Sequence, residues 1–131
     1  MILAIRTDQP TAELHLLSDE GDGVLEVFSW QAHRELSQTL LTQIEGLLTR
    51  HHADKRRLTG IVVYQGPGSF TGLRIGVTVA NTVAYGLGLP IAAAQGDDWV
   101  EVAVKQLIKN QRHDIIIPEY GSEANITAPR K

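Results

Sequence analysis

The chain has 131 residues, enough for one domain with one hydrophobic core, and its 43% apolar and 21% charged residues are ordinary for a globular protein. Its formal net charge of -3 argues against a lone nucleic-acid binder, which usually carries a basic stripe. The absence of cysteine excludes a disulfide framework, a thiolate zinc site and a cysteine nucleophile.

The chain also shows no sign of targeting to a membrane. Its apolar start, residues 2–5, is too short for a signal peptide and has no basic lead. The longest apolar stretch, residues 77–94, is interrupted by Asn81 and Pro90. We therefore expect a cytoplasmic protein.

The first third of the chain predicts three strands. Residues 2–5 form a short apolar run, residues 12–17 alternate loosely between apolar and polar, and residues 24–30 alternate clearly. Turn signals separate the three segments, the second of them at residues 21–23. The sequence therefore predicts an antiparallel three-stranded meander.

Helices and strands then alternate. Leucine and isoleucine recur at helical spacing over residues 34–52, and a β-branched strand follows at 61–64. A helix rich in small and apolar residues is expected at 71–87, with a strand at 90–94. The remaining elements are a helix introduced by a capping box, Asp98 and Glu101, and a last short strand at 115–117.

The predicted order is β-β-β-α-β-α-β-α-β, which indicates an α/β fold with a mixed sheet and flanking helices. It matches the first half of the actin/Hsp70/sugar-kinase fold, in which two such halves enclose an ATP cleft. We expect one domain over residues 1–117 and a polar tail over 118–131, which either is disordered or contacts a partner.

The most informative segment is the glycine-rich loop at residues 65–76, between a strand and a helix, where phosphate binding must be considered. No lysine follows Gly72, so the P-loop pattern fails. Gly66, Gly68 and Gly72 are spaced one residue too far for a dinucleotide fingerprint. A stand-alone nucleotide-binding domain that uses residues 66–72 remains an alternative.

A ridge of small residues, Gly72, Gly76, Ala80, Ala84 and Gly88, follows at four-residue spacing. On a helix these positions share one side, so another helix or a sheet can approach closely. Two internal glycines each cost a helix about 1 kcal/mol and need a compensating contact. That contact is the chain's own sheet or a partner, including a second copy in an obligate homodimer, and both can hold if different faces of the helix are used.

Residues 66–76, G-P-G-S-F-T-G-L-R-I-G, resemble the signature of the TsaB family over eleven consecutive positions. TsaB is the bacterial dimerisation subunit of the machinery that makes N6-threonylcarbamoyladenosine in tRNA. The first strand, the start of the first helix at His33, Glu35 and Leu36, and residues 87–94 also resemble the family. The likeness covers residues 1–95.

The resemblance implies a non-catalytic scaffold subunit that binds a TsaD-like catalytic subunit through the motif helix, with a TsaE-like ATPase joining the pair. It implies contact with tRNA only through the complex, and ATP or ADP bound only jointly with the partner. The same helix can form a homodimer. The expected partner surface comprises Gly66, Pro67, Gly68, Ser69, Phe70, Thr71, Gly72, Leu73, Arg74, Gly76, Val77, Ala80, Val83 and Ala84.

The chain departs from the family in two respects. Arg6 stands where the family has an acidic residue, which in related ATP-binding folds positions metal and phosphates. The chain is also shorter, and residues 117–121 resemble the family's C-terminal segment, so we expect a first subdomain joined directly to the usual C-terminus. No catalytic residue is assigned: the five histidines lack metal-ligand spacing, and Ser69 is expected to cap a helix.

Overall fold

A five-stranded mixed sheet forms the centre of the computed structural model, which describes residues 1–121. The strands are β1 (Ile2–Arg6), β2 (Thr11–Leu17), β3 (Val24–Gln31), β4 (Gly60–Tyr64) and β5 (Ile91–Ala94). Their spatial order is β3-β2-β1-β4-β5, with antiparallel pairing on the β3 side of β1 and parallel pairing on the β5 side. The predicted meander and mixed sheet are confirmed.

Three helices flank the sheet: α1 (Leu36–Arg50), α2 (Phe70–Leu87) and α3 (Trp99–Asn110). Helix α1 follows a 3-10 turn at His33–Glu35, and a second 3-10 turn, Lys55–Arg57, precedes β4. Within residues 1–121, no helix combines the length and apolarity needed to cross a bilayer.

The alternation of side chains along β1 assigns the helices to opposite faces of the sheet. Thr7, just beyond β1, donates a hydrogen bond to the carbonyl oxygen of Gly72 in α2, 2.7 Å away. Ile2 points the other way, towards Gly21 in the β2–β3 turn, next to which Val104 of α3 lies. Helices α1 and α2, which contact each other, therefore cover one face, and α3 covers part of the other.

Helix α1 has the apolar stripe that the sequence predicts. Its buried residues are Leu36, Leu40, Ile44, Leu47 and Leu48. Their spacing puts them on one side of the helix, against the sheet. The helix begins two residues later and ends two residues earlier than predicted.

The predicted last strand at residues 115–117 is wrong. The backbone N–H of Ile116 donates to the side-chain oxygen of Asn81 at 2.9 Å, and its carbonyl accepts from the Asn81 amide nitrogen at 3.0 Å. One side chain of α2 thus takes the place of a neighbouring strand. Within residues 1–121 the element order is β-β-β-α-β-α-β-α.

The two predicted helix caps are also wrong in detail. Ser69 and Asp98 occupy the position before α2 and α3, but neither side chain accepts a capping hydrogen bond. The first intrahelical bonds are formed normally: Leu73 N–H donates to the Ser69 carbonyl and Val102 N–H to the Asp98 carbonyl.

Candidate functional site

The glycine-rich loop between β4 and α2 is held by its own chain. The Tyr64 hydroxyl donates to the Pro67 carbonyl at 2.9 Å. The Ser69 N–H donates to the carbonyl of Asp8, and the Glu119 N–H donates to the carbonyl of Gln65. The loop therefore joins the turn after β1 to the segment that follows α3.

Each glycine of the motif lies where a side chain would overlap the chain itself. A Cβ added at Gly68 would overlap Asp8, and one at Gly72 would overlap the carbonyl oxygen of Thr7. At Gly76 it would overlap Thr7 Oγ1 and lie 3.1 Å from Thr7 Cγ2. Gly66 has φ +125° and faces the carbonyl of Glu119. Internal packing accounts for all four glycines without a bound phosphate.

Arg6 is engaged beside this loop. Its Nε donates to Asp8 Oδ1 at 2.7 Å, and its guanidinium lies 4.0 Å from the centre of the Tyr64 ring. The hydrogen bond to Asp8 raises the pKa of Arg6. Asp8 is only 7% exposed, and Arg6 is the cation that pairs with its buried carboxylate.

The small-residue ridge faces the protein's own core except at its last member, Gly88, which is exposed. Leu73, Gly76, Val77, Ala80 and Ala84 are all buried. These five members of the expected partner surface cover β1, β4 and β5 and leave no area for another protein. Of the two occupants considered for the ridge, the chain's own sheet is the one observed.

Most of the other expected surface residues are more accessible. Pro67, Gly68, Ser69, Phe70, Thr71 and Arg74 are exposed, Gly72 and Val83 are half-buried, and Gly66 is buried. Phe70 is 55% exposed, and its ring stacks on Tyr120 with 4.3 Å between centres. The Arg74 guanidinium lies 5.6 Å from the Phe70 ring. The start of α2 thus presents an aromatic and basic cluster.

Part of the accessible surface of α2 was missed by the sequence prediction. Ile75, Val79 and Val83 form a half-buried apolar row at four-residue spacing, and only Val83 was included. Tyr85 is 91% exposed. The signal for the row was present in the sequence: it lies one position before Gly76, Ala80 and Ala84, about 100° around the helix, so it flanks the inward ridge and packs against the margin of the core.

A meander followed by two parallel βα units, with α1 and α2 on one face and α3 on the other, is an actin/Hsp70/sugar-kinase-like domain. The family model described as "TsaD: tRNA N6-adenosine threonylcarbamoyltransferase" matches residues 23–95, more than half of the chain. The chain belongs to this family and is a TsaB/YeaZ-like member of it, which confirms the predicted resemblance.

Curated relatives carry the name "tRNA threonylcarbamoyladenosine biosynthesis protein TsaB". The Bacillus subtilis protein is 35% identical over 112 residues, covering 86% of this chain and 45% of the relative. The Escherichia coli protein is 32% identical over 90 residues, covering 69% and 38%. The fold matches YeaZ from Pseudomonas aeruginosa with a TM-score of 0.66 and 24% identity, over 84% of this chain and 49% of the other. The chain spans less than half the length of these curated relatives.

Proposed function

We propose that this protein is a non-catalytic subunit of the complex that forms N6-threonylcarbamoyladenosine in tRNA. In this proposal it binds a TsaD-like catalytic subunit and holds that subunit in its active form. Family membership and the names of the curated relatives support the reaction. The binding of the partner is inferred from the surface of this chain.

The accessible surface of α2 supports the proposal. Tyr85 is 91% exposed, and the apolar row of Ile75, Val79 and Val83, which flanks the buried ridge, is half-buried. Tyrosine is favoured at interfaces because a large apolar ring carries a polar tip. The cluster of Phe70, Tyr120 and Arg74 continues this side at the start of the helix.

The contacts around Arg6 support a scaffold role. A cation paired with Asp8 stands where related ATP-binding folds place an acidic residue, and the loop glycines pack against Thr7 and Asp8. We therefore propose that any ATP or ADP is bound jointly with the partner. A TsaE-like ATPase and tRNA would join through the catalytic subunit.

Titration calorimetry with the TsaD-like subunit of the same organism tests the proposal. Tyr85→Lys changes a residue that is 91% exposed, so the fold tolerates it, and we expect binding to weaken about tenfold or more. Ile108→Lys on α3, where the side chain is 45% exposed, adds the same charge on the opposite face and should bind like the wild type. Equal affinities for all three proteins would contradict the proposal.

Gly76→Arg is not a suitable test, because the new side chain would overlap Thr7 inside the domain and disturb the fold itself. Calorimetry of the isolated chain with ATP, ADP and Mg²⁺ distinguishes the alternative of a stand-alone nucleotide site. Tight binding there would favour that alternative over the scaffold. A concentration-independent dimer that refuses the TsaD-like subunit would instead favour an obligate homodimer.

A further inference from the structure

Among residues 1–121, the elements leave the sheet face that carries α3 only partly covered. Cross-strand pairs place Leu17 beside Val24, and His15 beside Val27, on the same side as Ile2. Val24 and Val27 share this side because the register between β2 and β3 shifts between Leu16 and Leu17. An antiparallel pair that faces water normally shows polar residues on its outer side. Here Val24 is 62% exposed and Val27 is 54% exposed. The sheet therefore presents an apolar surface around Val24 and Val27, while Glu13, His15 and Ser29 lie on the same side further along the strands.

Helix α3 turns this surface into a groove. A cavity of about 830 Å³ lies between the helix and the exposed strands. Leu17 and Val24 line it from the sheet, and Val100, Val104 and Ile108 line it from α3. The 12 residues of α3 give a wall about 18 Å long, the length of three helical turns.

The rim of this groove is acidic. Its carboxylates are Glu13, Glu20, Asp22, Asp97, Asp98 and Glu101, and its cations are Arg6, Lys105 and Lys109. Arg6 is paired with Asp8, which lies outside the rim, and Lys105 lies 4.0 Å from Glu101. The carboxylates come from β2, from the β2–β3 turn and from the start of α3. Six carboxylates against three cations leave an excess of negative charge around the apolar floor.

We propose that the groove between α3 and the β2–β3 strands docks an amphipathic helix of another protein, with an apolar stripe flanked by lysine or arginine. The apolar floor matches such a stripe, and the carboxylates match its cations. A second copy of this chain would bring the same acidic rim against itself. RNA and anionic membranes would be repelled for the same reason. This surface lies on the opposite side of the sheet from α2, so the proposal goes beyond the scaffold function.

The test uses the full chain and a labelled model helix of about 14 residues, built from leucine and lysine to present one apolar face. Fluorescence anisotropy measures its binding, and a peptide with glutamate in place of every lysine is the charge control. We expect the lysine peptide to bind and the glutamate peptide to bind at least about tenfold more weakly.

Two variants locate the site. Ile108→Lys places a cation in the groove and should weaken binding of the lysine peptide about tenfold. Tyr85→Lys adds the same charge on α2 and should leave binding unchanged. Thermal melts by circular dichroism confirm that both variants are folded. Failure of the lysine peptide to bind, equal binding of both peptides, or equal loss in both variants would overturn the proposal. In the titration with the TsaD-like subunit, Tyr85→Lys is the test and Ile108→Lys is the control. If the peptide experiment fails, the outcome of that titration is therefore unaffected.

Discussion

Replacing Gly76 with alanine tests whether α2 contains glycine because it must approach Thr7. In an unobstructed helix the change stabilises by about 1 kcal/mol. Here the new methyl group would overlap Thr7 Oγ1, and overpacking of this kind costs about 1–3 kcal/mol. Displacing the hydroxyl also weakens its 2.7 Å bond to the Gly72 carbonyl, worth about 1 kcal/mol. We expect a net loss of about 1–3 kcal/mol.

Gly86 provides the matched control in the same helix. A Cβ added there meets nothing within 4 Å, so Gly86→Ala should raise the free energy of unfolding by about 1 kcal/mol. The second control removes Thr7 Oγ1 and Cγ2 and leaves only the Cβ, 3.1 Å from the added methyl group. In a Thr7→Ala background, the cost of Gly76→Ala should fall by about 1 kcal/mol or more.

Urea denaturation of the wild type, Gly76→Ala, Gly86→Ala, Thr7→Ala and the Thr7→Ala/Gly76→Ala double variant supplies the free energies. Opposite signs for the two glycine variants, with relief in the Thr7→Ala background, are the expected pattern. Gly76→Ala as stable as Gly86→Ala would refute the close approach as the reason for this glycine.

Two further variants test contacts remote from the motif. Asn81→Ala removes both side-chain bonds to the Ile116 backbone, so hydrogen exchange at that amide should accelerate about tenfold or more while the sheet amides stay protected; unchanged exchange would contradict the contact. Hydrogen bonds from Arg50 and His51 hold the pKa of Glu26 below its usual 4.5. A carboxylate whose pKa is lowered on folding stabilises the fold at pH values above its unfolded pKa. This stabilisation is lost as the pH falls through the folded pKa. Glu26→Gln should therefore be less stable than the wild type at neutral pH, and the difference should shrink as the pH falls below 4.5 in acid titrations; a constant difference would exclude this linkage.

Local periodicity was sufficient to predict most of the fold. The alternation of Val24–Gln31 and the helical spacing of α1 arise because one face of each element packs against the core. The apolar residues of that face recur at the period of the element, so the sequence alone predicts it. The last strand failed for a different reason. Residues 115–117 have strand composition, but Asn81, more than 30 positions away, binds the backbone of Ile116.

The candidate site was predictable in position but not in orientation. Four-residue spacing located the ridge on one side of α2, yet spacing cannot say which side faces the sheet. The contact of Gly76 with Thr7 decides which side of α2 faces the sheet, and this contact depends on how α2 is placed along β1. Tyr85 was missed because an aromatic residue beside a small-residue ridge is as typical of a core as of a surface.

We propose that this chain is a partner subunit that binds through the exposed side of α2. Light scattering coupled to size-exclusion chromatography, on this chain, on the TsaD-like subunit and on their mixture, tests this binding. We expect a new peak of heterodimer mass or larger, which Tyr85→Lys reduces and Ile108→Lys leaves intact. Two unchanged peaks in the mixture would contradict it.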